Sequence, residues 1–235
     1  MMKIIKVKNY KKMSEKAKDI IIKDINKKPN STIGFATGKT PLGLYNKLIK
    51  AYKKDNVDFS KIRAFNLDEY YPIKADNKAS YSYYMHKNLF DKINIKKENI
   101  NLLNGETKNP KKECKDYENK IKKNLIDLQI LGVSFNGHVG FNEPGSSKKS
   151  KTRLVELFPE TIKKNKIKNI KKGLTIGIST ILKSKKIILL ASGKKKARAI
   201  NCLVKYKPDK CCPVSFLRNH KNLIVIADKE AASLL

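Results

Sequence analysis

The chain has 235 residues, 40% of them hydrophobic, which fits one α/β domain with a substantial core. The opening MMKIIKVKNYKK lacks a signal-peptide core, and no run approaches the roughly 18 apolar residues of a membrane span, so a cytoplasmic protein without membrane partners is expected. The net charge of +32 comes from 49 Lys and only 4 Arg scattered over nearly every segment; this reads as a solvated surface, and no specific nucleic acid is expected as a partner.

The first strand is expected at Ile4–Val7, followed by helical spacing over Met13–Lys27. The next apolar run, Thr32–Phe35, enters IGFATGKTPLG, residues 33–43. It ends like the phosphate loop of an ATPase, but Ile33 stands where the first glycine is needed and Gly34 is one residue too close. A strand ending at Phe35, a turn of Thr37, Gly38, Lys39 and Thr40, and a helix from Pro41 to Tyr52 would offer free N–H groups, two hydroxyls and an ammonium. That set suits a phosphate dianion; a plain capped helix start is the alternative.

A third strand, Ile62–Asn66, runs into AFNLDEYYP, residues 64–72, where Asp68 and Glu69 follow an apolar run. Such carboxylates serve catalysis, cap a turn or pair with lysine. A helix over Pro110–Lys123 precedes a strand at Ile126–Val133, which overlaps LGVSFNGHVGFNEPGSS, residues 131–147. There His138 and Glu143 share one glycine-bent loop, so a carboxylate can fix the imidazole tautomer and form an acid-base unit. His86 and His220 lie in amphipathic stretches and read as structural.

Residues 146–172, crowded with Lys and Asn and short of apolar periodicity, read as a mobile excursion or lid within a single domain spanning 1–235. A strand at Lys186–Leu190, a helix at Lys194–Val204 and a strand at Leu223–Ala227 complete the alternation. The expected fold is α/β, an open, mostly parallel sheet with helices on both faces and ligands beyond the carboxyl ends of the strands. Cys114, Cys202, Cys211 and Cys212 form neither a CxxC pair nor a zinc spacing with His, so reduced thiols and no metal are expected.

ATGKTPLGLY, FNLDEYY, SYSYYMHKNLF, NLLNG, FNGHVGFNEPGSS, TRLVEL, LTIGISTIL and GKKKARAI together resemble the glucosamine-6-phosphate deaminases from about residue 30 onward. The resemblance implies a Rossmann-like enzyme of amino-sugar catabolism that turns glucosamine 6-phosphate and water into fructose 6-phosphate and ammonia without a cofactor. By motif, Asp68 would move the proton between C2 and C1, and His138, oriented by Glu143 and with Asn136 two residues before it, would open the sugar ring. Thr37, Gly38, Lys39, Thr40 and Lys196 would hold the phosphate, with Lys166 and Lys168 as lid contacts.

Four positions depart from the family pattern. Asn136 replaces an Asp found in some members, Lys39 stands where Ser or Gly is common, and Ile167 occupies the register of a phosphate-binding lid Arg. Allosteric members form hexamers that use a Ser, an Arg and a Lys; Ser146 and Arg153 match, while Val155 replaces the Lys, so weak or absent activation is expected and a homo-oligomer stays compatible. The rivals are a related sugar-phosphate isomerase or 6-phosphogluconolactonase-like hydrolase, and, more distantly, a basic nucleic-acid-binding protein.

Overall fold

Seven short apolar strands pair in one direction to build the central sheet of the computed structural model, which describes residues 2–165, 167 and 169–235. They are β1 (Lys3–Val7), β2 (Thr32–Phe35), β3 (Arg63–Asn66), β5 (Ile100–Asn101), β6 (Leu128–Gly132), β9 (Lys186–Ala191) and β10 (Leu223–Asp228). Their order is β1-β10-β9-β6-β2-β3-β5, parallel throughout. The central strands are buried on both faces, which is why they read as mostly apolar runs rich in Ile and Leu, without a polar face.

Helices cover both faces. On one side α1 (Tyr10–Lys27) and α2 (Lys39–Tyr52) bring Met13, Ile21, Leu44 and Leu48 onto Ile33, Ile130 and Ile188. Opposite them, α4 (Pro110–Lys123) and α7 (Ala197–Lys205) bury Tyr117, Ile121, Ile200 and Leu203 against Leu131, Leu189 and Val225. The alternation of Ile130 and Leu131 between the two clusters shows the pleat dividing them. Among the described residues no helix is long and apolar enough to cross a membrane.

Three features differ from the sequence expectation. The helix expected from Pro41 begins at Lys39, because Gly38 takes φ 98° and serves as N-cap, leaving Pro41 in the first turn where its missing N–H costs nothing. The AFNLDEYYP run is two strands: the chain leaves the main sheet at Leu67, and β4 (Asp68–Tyr71) enters a separate antiparallel sheet of order β4-β8-β7. The Lys-rich excursion contributes β7 (Arg153–Glu156) and α5 (Pro159–Asn165), and β8 (Lys172–Thr175) is the middle strand, pairing with both β4 and β7. Its sparse apolar side chains, Leu157 and Ile167 among them, pack on Tyr70, Ile73 and Phe141. A short helix α3 (Tyr81–Asn88) follows β4, and α6 (Ile178–Ile181) follows β8.

Candidate active site

The strand order gathers the candidate segments. β2, β3 and β5 progress toward one edge, after which β6 returns to the other side of β2 and β9 and β10 continue away from it. The direction in which successive strands are added therefore reverses between β2 and β6, and the connections leaving their carboxyl ends diverge to open a crevice. The Thr37–Thr40 turn follows β2, Asp68 follows β3, the His138 loop follows β6, and Lys196 follows β9, on four neighbouring strands.

At the first of these, Gly38 sits in the left-handed region that a side chain disfavours. α2 then starts with no side-chain cap and no acidic residue in its first turn, so its leading N–H groups and dipole face the crevice uncompensated. Thr37 and Thr40 are partly buried, and Gly38 and Lys39 are exposed. Two tyrosines fix the loop from outside: Tyr84 Oη donates to the Gly38 carbonyl at 2.6 Å and Tyr10 Oη to the Lys39 carbonyl at 3.0 Å. Lys196 is partly buried at the end of the turn Lys194–Lys196.

Asp68 is 4% exposed, and its Oδ1 has no hydrogen-bond partner among the described residues. Burial pushes its carboxyl well above the usual range, the neighbouring Glu69 charge pushes it further, and a Thr37 hydrogen bond opposes both. A buried carboxyl with one open oxygen and raised basicity is suited to accept a proton. Glu69 is equally buried but fully occupied, accepting from the amides of Tyr70, Tyr81 and Ser82 at 2.8 Å each.

The His138 loop is held at its base by Ser134 N donating to the His138 carbonyl and by Val214 N donating to the Gly137 carbonyl at 2.8 Å. Gly137 has φ 83°, and a Cβ there would lie 2.5 Å from Cys212 Sγ, so both backbone and space demand glycine. His138 Nδ1 lies 3.4 Å from Glu143 Oε2. Asn136 spans the pair, its Nδ2 3.5 Å from the same oxygen and its Oδ1 accepting from His138 N at 3.3 Å. Burial raises Glu143, but contacts with His138 and Thr161 outweigh it and leave the carboxyl below its ordinary value.

Two contributions had no sequence signal of their own. Thr161 of α5 donates to Glu143 Oε1 at 2.6 Å, with the Phe158 amide at 3.4 Å, so the expected lid segment holds the carboxylate. Tyr81, Tyr70 and Phe141 form an aromatic cluster, with Tyr81 stacked on Phe141 at 5.7 Å, joining α3 to the His138 loop. Lys166 and Lys168 lie outside the described residues. Ile167 is buried in the apolar cluster around Tyr70. Arg153 donates to Asn142 Oδ1 at 2.9 Å and Ser146 Oγ at 3.2 Å, while Val155 packs beside that cluster. His86 pairs with Asp91 and His220 with the Ser184 carbonyl, away from this loop.

Residues 7–226 match the family described as glucosamine-6-phosphate isomerases/6-phosphogluconolactonase. The chain is 49% identical to a glucosamine-6-phosphate deaminase of Clostridium novyi (strain NT), with 100% of both chains covered. It is 48% identical to one of Clostridium botulinum (strain Loch Maree / Type A3), covering 100% of this chain and 99% of that one. Among solved structures it superposes on a monomeric glucosamine-6-phosphate deaminase with TM-score 0.97 and 39% identity over the full length of both. A 6-phosphogluconolactonase from Thermotoga maritima shares the fold, at TM-score 0.80 and 22% identity over 97% of this chain and 100% of that one.

Proposed function

The chain belongs to the glucosamine-6-phosphate isomerase/6-phosphogluconolactonase family, and from that premise we propose that it converts glucosamine 6-phosphate and water to fructose 6-phosphate and ammonia. The observation that carries this reading is Asp68, a buried carboxyl of raised basicity with one open oxygen, in contact with Thr37 of the uncapped turn before α2.

The phosphate binds at the start of α2 through Thr37, Gly38, Lys39 and Thr40, assisted by Lys196. This anchoring lies away from the reacting carbons and can be directed to orienting them. His138, with Nδ1 turned to Glu143, uses its other ring nitrogen to move a proton from O1 to O5 and open the pyranose. Asp68 then takes the C2 proton, giving an enolamine, and returns a proton to C1. The resulting ketimine adds water at C2 and expels ammonia. The two proton transfers need positioned acids and bases of these kinds.

Cytoplasmic location and the absence of a required cofactor belong to the same proposal, since a sugar-phosphate dianion does not cross a bilayer unaided. We also take the protein to act as a monomer, supported by its likeness to the monomeric deaminase. The test offers purified protein glucosamine 6-phosphate and 6-phosphogluconolactone side by side. Ammonia release from the first without appreciable hydrolysis of the second supports the deaminase; lactone hydrolysis without ammonia release overturns it in favour of the related hydrolase.

A further inference from the structure

Glu69 is 2% exposed and is not among the groups assigned to the reaction above. Its Oε1 accepts from the amides of Tyr70 and Tyr81 and its Oε2 from that of Ser82, so one carboxylate joins β4 to the first turn of α3. From α3, Tyr81 is in hydrogen-bonding contact with Thr37, and Tyr84 donates to the Gly38 carbonyl. The residue before Glu69 on β4 is Asp68, which in turn contacts Thr37. The strand bearing the proton carrier and the turn bearing the phosphate donors are thus linked through this side chain.

We infer that Glu69 is a positioning residue for the reaction: it ties the first turn of α3 to β4 and, through Tyr81 and Tyr84, holds the phosphate turn in place. This inference rests on the deaminase reading above. The Glu69 carboxylate accepts from the amide of Tyr70 on its own strand and from those of Tyr81 and Ser82 on α3, with Leu174 opposite Glu69 on β8. Burial and the three amides act on its carboxyl, with no cation among the influences.

Two variants test the link to different degrees. In E69Q size and one acceptor oxygen remain, but the other position becomes an N–H donor facing a backbone amide, so only part of the link is lost and KM rises about threefold. In E69D the shorter side chain cannot reach Tyr81 and Ser82, so KM rises about tenfold as the tyrosines loosen on the turn. Calorimetric binding of fructose 6-phosphate to E69D, expected to weaken about tenfold, reads the positional role without turnover.

Unchanged KM or unchanged fructose 6-phosphate binding in folded E69D overturns the inference. Wild type that binds fructose 6-phosphate but releases no ammonia overturns the deaminase reading instead, and the E69D binding result still decides the positional role. Cooperative melting of both variants checks that they fold.

Discussion

His138 Nδ1 and Glu143 Oε2 stand 3.4 Å apart, within ion-pair reach, yet the ring nitrogen is buried without an aligned hydrogen bond. What holds Glu143 firmly is its other oxygen, which accepts from Thr161 at 2.6 Å. The carboxylate that faces the imidazole is thus itself anchored by Thr161 of α5.

Thr161→Val removes this anchor with little change in volume. A lost hydrogen bond to a charged group is worth about 1.5–3 kcal/mol. We expect kcat for glucosamine 6-phosphate to fall about 10- to 100-fold, with KM within about threefold of wild type. Steady-state kinetics of the variant check this, and an unchanged kcat would show that Glu143 needs no support from the segment.

Glu69 also leaves a signature in stability. Burial raises its carboxyl to about 7 from an ordinary 4.5, so the folded state holds a proton that the unfolded chain releases between those values. The stabilisation linked to that proton is complete below the unfolded value and is lost as pH rises through about 7, amounting to about 3 kcal/mol. Urea unfolding of wild type and E69Q from about pH 4.5 to about pH 7.5 should show wild type losing that much relative to the variant. Parallel curves would mean that Glu69 titrates normally.

The segments differ in how far they could be read in advance. Thr32–Phe35, Leu128–Gly132 and Lys186–Ala191 are buried on both faces, so each appears as an apolar run between polar stretches. β4 was hidden because Asp68 follows Asn66 after a single residue, and only tertiary pairing with β8 separates the two strands. β7 is four residues long and is recognised by its pairing with β8, and α5 is a short helix inside a lysine-rich stretch. The motifs in the turn at 37–40 and the loop at 134–145 were legible because glycines mark their backbone. The partners of Glu69 lie 12 and 13 residues downstream at a helix start, a relation no local pattern carries.

Ile167→Arg restores the charge that the family pattern has in this register. Ile167 is 5% exposed and packs with Tyr70, Ile73, Phe141 and Leu157, so a guanidinium there would be buried among apolar groups. We expect destabilisation by about 2–4 kcal/mol and no improvement in KM. A variant of wild-type stability with lower KM would mean that the segment readily turns this position toward the phosphate.

Arg153 is committed to Asn142 and Ser146, and Val155 joins an apolar cluster where an activator site would need a cation. The initial rate should depend hyperbolically on glucosamine 6-phosphate and be unchanged by N-acetylglucosamine 6-phosphate. Sigmoidal kinetics abolished by that compound would contradict this.

The central claim is that Asp68 carries the proton from C2 to C1. The direct measurement supplies glucosamine 6-phosphate deuterated at C2 to wild type and Asp68→Asn, following ammonia release and the deuterium content of the fructose 6-phosphate formed. The account predicts a slowed wild-type reaction with deuterium leaving C2, partly recovered at C1, and a rate about 10²–10⁴-fold lower in the variant. Ammonia release by the variant at the wild-type rate would contradict it.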